Sequence, residues 1–212
     1  MRPGLVLEKK LWAEGYNYIA GVDEVGRGAW AGPIVAGAVA MRHSDFLKLK
    51  KEDWFGKVND SKVLSPLTRE NIFKACKKKI IWSIGVVKNT EIDSIGIAAA
   101  NKKAIKLAIL GLKKRPQYVL VDYVAKLGKE ISDIPVRVLI NGDAKVFSIA
   151  LASVIAKVYR DNLMIKYDAL CPDYGFGENK GYGTPKHQNS LNNLGPCGLH
   201  RLSYRPVKQS VI

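Results

Sequence analysis

Cysteine is scarce in this chain. Three occur in 212 residues, Cys76, Cys171 and Cys197, an odd and widely spaced set without a Cys-X-X-Cys pair. That pattern supports neither a disulfide framework nor a zinc knuckle, and it fits a reducing cytoplasm. Histidine is as sparse: His43, His187 and His200 show no HxxxH spacing and read as surface or structural side chains. No apolar run approaches the roughly 18 residues of a membrane span, and the richest, Pro33 to Met41, is strand-sized. The opening MRPGLVLEKKLW lacks the apolar core and small-residue cleavage site of a secretory signal. Internal repeats, a GxSxG nucleophile setting and a glycine loop ending in GK[ST] are also missing, which argues against a solenoid, a serine hydrolase and a P-loop nucleotide site.

Acid is the remaining shortage. Against 34 Lys and Arg stand 19 Asp and Glu, a net charge of +15, and no acid follows Glu178. A surplus of that size points to a polyanionic partner, nucleic acid first, with a solvated lysine-rich surface as the plain alternative. A membrane-surface role would need a basic amphipathic helix with bulky apolar residues opposite, and none stands out. With 47% hydrophobic residues and a mean hydropathy of −0.06, the chain is a globule, not a disordered polymer. Its length suits one domain with a small appendage.

The periodicity predicts strands at Tyr18 to Val22, Ile34 to Met41, Ile80 to Lys88, Tyr118 to Asp122 and Val136 to Ile140. It predicts a helix over Thr90 to Leu112, capped by Thr90 or Asp93, and a long helix from Ala144 to Leu170. Strands first, then strands alternating with helices, give an α/β fold with a mixed sheet. Gly and Pro around Cys171 to Gly183 end the long helix and start a small C-terminal segment.

Four acids stand out by position: Asp23 and Glu24 in GVDEVGRG, Asp122 closing VLVDY, and Asp143 in NGDAK. Each follows an apolar segment, where an acid is costly without a partner. Strand ends are where α/β sites assemble, and hard oxygen ligands from several of them suit Mg²⁺ or Mn²⁺. The plain alternatives are a helix N-cap for Asp143 and a turn acid for Asp122. Adjacent Asp23 and Glu24 would face opposite sides of a strand and share a site only if the chain turns there or Glu24 contributes from the strand's end. Gly26-Arg27-Gly28 allows close backbone approach to a sugar or phosphate, or is a tight turn. Tyr182, between Gly181 and Gly183, can offer its ring to a base or sugar, or pack as a loop aromatic.

Taken in order, GVDEVGRG, GPIVAGAV, NDSKVLS, LVDY, GDAKVFSIALASVIAKVYRDNLM, YGFGENKGYGT and GPCGLHRLSY resemble ribonuclease HII, the bacterial type 2 ribonuclease H, from about Ile19 to Tyr204. The resemblance implies a ribonuclease H-like fold: a central mixed five-stranded sheet flanked by helices, with a catalytic domain over 1–170 and a small substrate-binding helical segment over 171–212. It implies endonucleolytic cleavage of RNA paired with or joined to DNA, including a single ribonucleotide in duplex DNA, cut on its 5′ side to leave 3′-hydroxyl and 5′-phosphate ends. Carried over, Asp23, Glu24, Asp122 and Asp143 hold two Mg²⁺ or Mn²⁺ ions. The Gly26-Arg27-Gly28 backbone and Tyr182 contact the ribose 2′-hydroxyl, and Ser61, Lys62 and Lys145 fall in segments that touch substrate. A cytoplasmic monomer without membrane attachment is expected, and a replication clamp is left open as a protein partner.

Two positions depart from the pattern: Tyr123 stands where glycine is usual, and Ala29-Trp30 where proline and a hydrophobic residue are common. Ribonuclease HIII fits less well, since 22 residues precede Asp23 where that family carries an N-terminal extension. The tail Val207 to Ile212 is a partner motif or a frayed end. Competing functions are a non-catalytic nucleic-acid binder and a structural basic protein, both of which leave the four acids unexplained.

Overall fold

A computed structural model describes residues 2–122 and 133–210. In chain order, α1 (Val6–Ala13) precedes β1 (Ile19–Val25) and β2 (Ile34–Met41). Helices α2 (His43–Leu49) and α3 (Pro66–Cys76) lead to β3 (Ile81–Val87), α4 (Asn89–Ile95) and α5 (Ile97–Leu110). Strands β4 (Tyr118–Asp122) and β5 (Val136–Leu139) are followed by the long α6 (Phe147–Asp168), then α7 (Phe176–Asn179), α8 (Pro185–Leu194) and α9 (Arg205–Lys208). Tyr123 lies outside the described residues.

The sheet order is β3-β2-β1-β4-β5. β1 pairs antiparallel with β2, and β2 with β3, while β1–β4 and β4–β5 are parallel. The mixed five-stranded sheet flanked by helices is the ribonuclease H-like arrangement. Alternation along β1 decides what each face meets. Ala20 and Val22 join Ala104, Ile105 and Ala108 of α5 in one apolar cluster. On the other face α6 packs onto β1 and β2, and Ala150, Leu151, Val154 and Ile155 gather with Val39 and Met41. The approach is close enough that a Cβ on Gly21 would lie 2.2 Å from the Ser148 backbone, so glycine there is a packing requirement.

Three expectations are corrected. The helix drawn through Thr90 to Leu112 breaks at Gly96, whose φ of +77° separates α4 from α5. Neither Thr90 nor Asp93 caps it; Asp93 instead accepts the backbone N–H groups of Leu202 and Ser203. The long helix starts at Phe147, not Ala144, with Val146 at its N-cap. Asp143 is therefore no cap. The N-terminus of α6 is served from a distance by Glu8 of α1, whose Oε1 accepts the Ser148 N–H at 2.9 Å while the residue is 1% exposed. Burial raises the Glu8 carboxyl above its ordinary range, against the pull of the Ser148 bond. The C-terminal segment has its own apolar cluster, in which Tyr174, Phe176, Leu191 and Val207 meet Met164 of α6 and Ala31. Val207 is fully buried, so the tail is docked at that point.

Replacing Glu8 by Ala strands a helix-terminal N–H and should lower unfolding stability by about 1–3 kcal/mol. Denaturant titration of Glu8→Ala checks this; an unchanged midpoint would remove Glu8 from the support of α6.

Candidate active site

β1 runs on through Val25, so Asp23 and Glu24 sit inside a strand and not at a turn. Alternation then sends them to opposite faces. Asp23 lies on the α6 face, hydrogen-bonded to Ser153, and its Oδ1 also accepts the Glu24 N–H at 2.8 Å. Ser153 shares a 2.8 Å hydroxyl contact with Ser61, which is 4% exposed. The structure thus places Ser61 beneath the acids as a support, with Lys62 next to it at the surface. Lys62 Nζ donates to Asp143 Oδ2 at 3.2 Å. Asp122 ends β4, one residue beyond the Val22–Val121 register pair, and its Oδ1 accepts the Gly142 N–H at 2.9 Å. That bond ties the loop carrying Asp143 to the strand carrying Asp122. Lys145 turns back to donate to the Ile140 carbonyl at 2.8 Å and closes the same loop.

Glu24 faces α5, where Asn101 hydrogen-bonds it and the Arg27 guanidinium lies near. Its Oε2 is buried without a hydrogen-bond partner. Burial, together with Asp122, lifts the Glu24 carboxyl to about 7 in spite of Arg27 and Asn101. Asp23 is raised well above its ordinary range by burial first, then by Glu24, Asp122 and Asp143, with Ser153 acting the other way. Asp23 and Glu24 are thus held against burial and against neighbouring carboxylates, as expected of like charges gathered in a poorly solvated place.

Among the described residues no three His, Cys, Asp or Glu side chains form a ready-made ion cage. The donor set nevertheless fits a hard divalent cation. It offers only carboxyl oxygens, one of them buried and orphaned, and their mutual repulsion is what a cation would relieve.

Beside the acids runs the 26–33 loop. Gly26 has φ +89°, and a Cβ there would lie 2.2 Å from Arg160 Nε. Arg160 is fully buried and donates to the carbonyls of Pro33 at 2.9 Å, Lys180 at 2.8 Å and Ala31 at 3.2 Å. Its guanidinium also lies over the Tyr182 ring at 5.4 Å. Trp30 and Ala31 donate to the Gly181 carbonyl, so the structure brings Tyr182 alongside the Gly26-Arg27-Gly28 turn. Gly28 has no heavy atom within 4 Å of a would-be Cβ, which leaves open space above an exposed stretch of backbone.

The sequence model of the ribonuclease HII family matches residues 20–207. The chain belongs to the ribonuclease HII family. It is 44% identical over 209 residues to the ribonuclease HII of Dehalococcoides mccartyi, covering 97% of this chain and 94% of that one. Identity is also 44% to the enzyme of Acholeplasma laidlawii, over 204 residues, 96% of this chain and 95% of the relative. Among solved structures, ribonuclease HII of Archaeoglobus fulgidus, described in complex with PCNA, superposes with a TM-score of 0.74 at 27% identity, covering 91% of this chain and 96% of that one. A Bst ribonuclease HIII crystallised with Mn²⁺ shares the fold, with a TM-score of 0.71 at 19% identity over 92% of this chain and 70% of its own. Ribonuclease HII enzymes are type 2 ribonucleases H: hydrolases that cut RNA in RNA/DNA hybrids and use divalent metal ions.

Sequence reasoning singled out neither Arg160 and Arg201 nor the buried pair His187 and His200. The histidine protons can be assigned. His187 Nδ1 faces the Tyr182 carbonyl at 2.9 Å and must donate. His187 Nε2 then accepts from His200 Nε2 at 3.0 Å, and His200 Nδ1 accepts the Cys197 N–H at 2.9 Å. This neutral chain ties the backbone of Tyr182 to the 195–200 loop. Burial, then the neighbouring His187, lowers His200 to about 4, and burial lowers His187 as well. The unfolded chain binds protons near the ordinary imidazole value of about 6.5. Between that value and about 4 it holds more protons than the folded chain, so this pair's contribution is complete above about 6.5 and is lost as pH falls. Melting temperature should drop from pH 7 to pH 5 more steeply in the unmodified protein than in His200→Gln. Parallel curves would show that the pair is not held neutral. The comparison of two curves removes Asp23 and Glu24, whose raised carboxyls act with the opposite sign.

Proposed function

We propose that this chain is a junction-cutting endoribonuclease, acting on RNA/DNA hybrids and on single ribonucleotides embedded in duplex DNA. The observation that carries this reading is the convergence beside the end of the β1–β4 pairing: Asp23, Asp122 and Asp143 with the α6 side of the sheet, Glu24 with the α5 side, and the Gly26-Arg27-Gly28 turn directly downstream of β1. Two divalent ions, Mg²⁺ or Mn²⁺, would be held by these four acids, and when bound they supply Lewis-acid activation of water and neutralisation of the phosphate charge.

The remaining work belongs to the protein's own groups. The exposed backbone of Arg27 and Gly28 meets the ribose 2′-hydroxyl, the one group that separates RNA from DNA at a given position. Tyr182, fixed over Arg160, stacks at the junction. Lys62, beside Asp143, and Lys145 contribute charge toward the phosphate backbone, and Ser61 acts through Ser153 on Asp23. Backbone reading of one hydroxyl is independent of base sequence. The cut then falls 5′ of the ribonucleotide, leaving 3′-hydroxyl and 5′-phosphate ends. The surplus of 34 bases over 19 acids contributes affinity for duplex that weakens with salt. In this reading residues 1–170 carry the chemistry and 171–212 the substrate-binding appendage of a cytoplasmic monomer. A sliding clamp is the partner class that the Archaeoglobus fulgidus complex brings to mind.

With Mg²⁺ or Mn²⁺, the protein should cut duplex DNA holding one ribonucleotide, on the 5′ side of that residue, and leave its all-DNA twin intact. Chelator should abolish the reaction. Asp23→Asn and Asp143→Asn should each lower turnover by about a hundredfold or more while the far-ultraviolet spectrum is kept. Equal cutting of the twin, or cutting in chelator, would refute the reading.

A further inference from the structure

The Arg27 carbonyl oxygen accepts two hydrogen bonds from one short stretch of the C-terminal segment. Arg201 Nη1 donates at 3.0 Å and the Tyr204 hydroxyl at 2.5 Å. Arg201 Nη1 also donates to the Tyr204 oxygen at 2.9 Å, so the three groups close a triangle. The stretch is itself well anchored. The Arg201 N–H donates to the Trp30 carbonyl at 2.7 Å, Arg201 Nε to the Gly32 carbonyl at 3.0 Å, and Asp93 accepts from the residues in between. Arg201 is fully buried, yet its hydrogen-bond partners are carbonyls and a phenol, with no carboxylate among them, and its Nη2 has none. A cation buried on those terms is expensive. What it holds in place is the ribose-facing turn.

Two consequences follow from peptide geometry. A carbonyl oxygen has two lone pairs, and both on Arg27 are taken, so this oxygen has none left for a ligand. The Arg27 carbonyl and the Gly28 N–H also belong to one planar unit and point opposite ways, so fixing the oxygen aims the N–H. The N–H groups of Arg27 and Gly28 meet no acceptor among the described residues, and both residues are exposed. The Arg27–Gly28 peptide therefore offers a ligand its Gly28 N–H as a donor and no carbonyl lone pair, with the Arg27 N–H as a second donor beside it.

We propose that Arg201 and Tyr204 are positioning residues that lock the Arg27–Gly28 peptide, so that the Gly28 N–H, with the Arg27 N–H beside it, meets the 2′-oxygen of the ribonucleotide as an acceptor. The inference rests on the reading of the Gly26-Arg27-Gly28 turn as the ribose sensor. Neither residue touches the reacting phosphate. Their effect should therefore appear in the rate of the committed step and not in the capture of duplex or of metal.

The test is steady-state cleavage of duplex DNA holding one ribonucleotide, with the full chain in Mn²⁺. Tyr204→Phe keeps the ring and removes one donor to Arg27. It should lower kcat by about five- to tenfold, leave KM within about twofold, and leave the Mn²⁺ concentration for half-maximal rate unchanged. Arg201→Lys should lose more in kcat with the same split. Should that variant fail to fold, Tyr204→Phe decides alone. An unaltered kcat in Tyr204→Phe overturns the proposal, and so does a joint shift of kcat, KM and metal requirement, the mark of a general structural role. The wild-type arm separates the two readings. If wild type cuts and Tyr204→Phe cuts equally well, only the clamp falls; if wild type cuts nothing, the ribose-sensor reading falls and takes the clamp with it.

Discussion

The parallel pairing of β1 with β4 is the constraint on which the rest depends. It sets Val22 against Val121, and so carries Asp23 and Asp122 side by side just beyond the paired stretch, without any loop having to deliver them. The remaining pieces are hung from that pair. The Asp122–Gly142 bond brings the Asp143 loop in, α6 supplies Ser153 under Asp23, and Glu24 follows from the next position on the same strand. The repulsion that results is affordable because the strands are held by apolar clusters on both faces, Ala20 and Val22 on one and the α6 side chains on the other. Ionisation, in contrast, is opposed at Asp23 and Glu24, which leaves a site poised for a cation.

A second layer supports the loop beside the acids from behind. Arg160 reaches up from α6 and Arg201 from the C-terminal segment, and between them they satisfy the carbonyls of Arg27, Ala31, Gly32, Pro33 and Lys180. The irregular loop after β1 is thereby tied by side-chain hydrogen bonds to α6 and to the C-terminal segment.

Much of this was legible in the sequence, for physical reasons. β2 and β4 are continuous apolar runs bounded by Gly, Pro or an acid, and they appear where the pattern put them. The acids were visible because each interrupts an apolar stretch. The split of Asp23 and Glu24 between faces follows from strand alternation, although β1 proved longer than its apolar core. What pattern could not show was tertiary. Glu8 serving α6 from 140 residues away, Ser61 turning inward to Ser153, and the His187–His200 pair all depend on contacts between distant segments. Nothing local distinguishes buried arginines such as Arg160 and Arg201 from solvated ones. The break at Gly96 was obscured by apolar residues that keep helical spacing across it.

The central claim is that four acids on two faces of one sheet form one shared centre for divalent cations. Thermal melting with and without Mn²⁺ tests it without any substrate. A cation that binds only the folded chain raises the melting temperature by mass action. The account predicts a clear upward shift in the unmodified protein and its loss in both Asp122→Asn, on the α6 side, and Glu24→Gln, on the α5 side. A shift that survives in either variant would show that its acid stands outside the site, and the two-faced assembly would be contradicted.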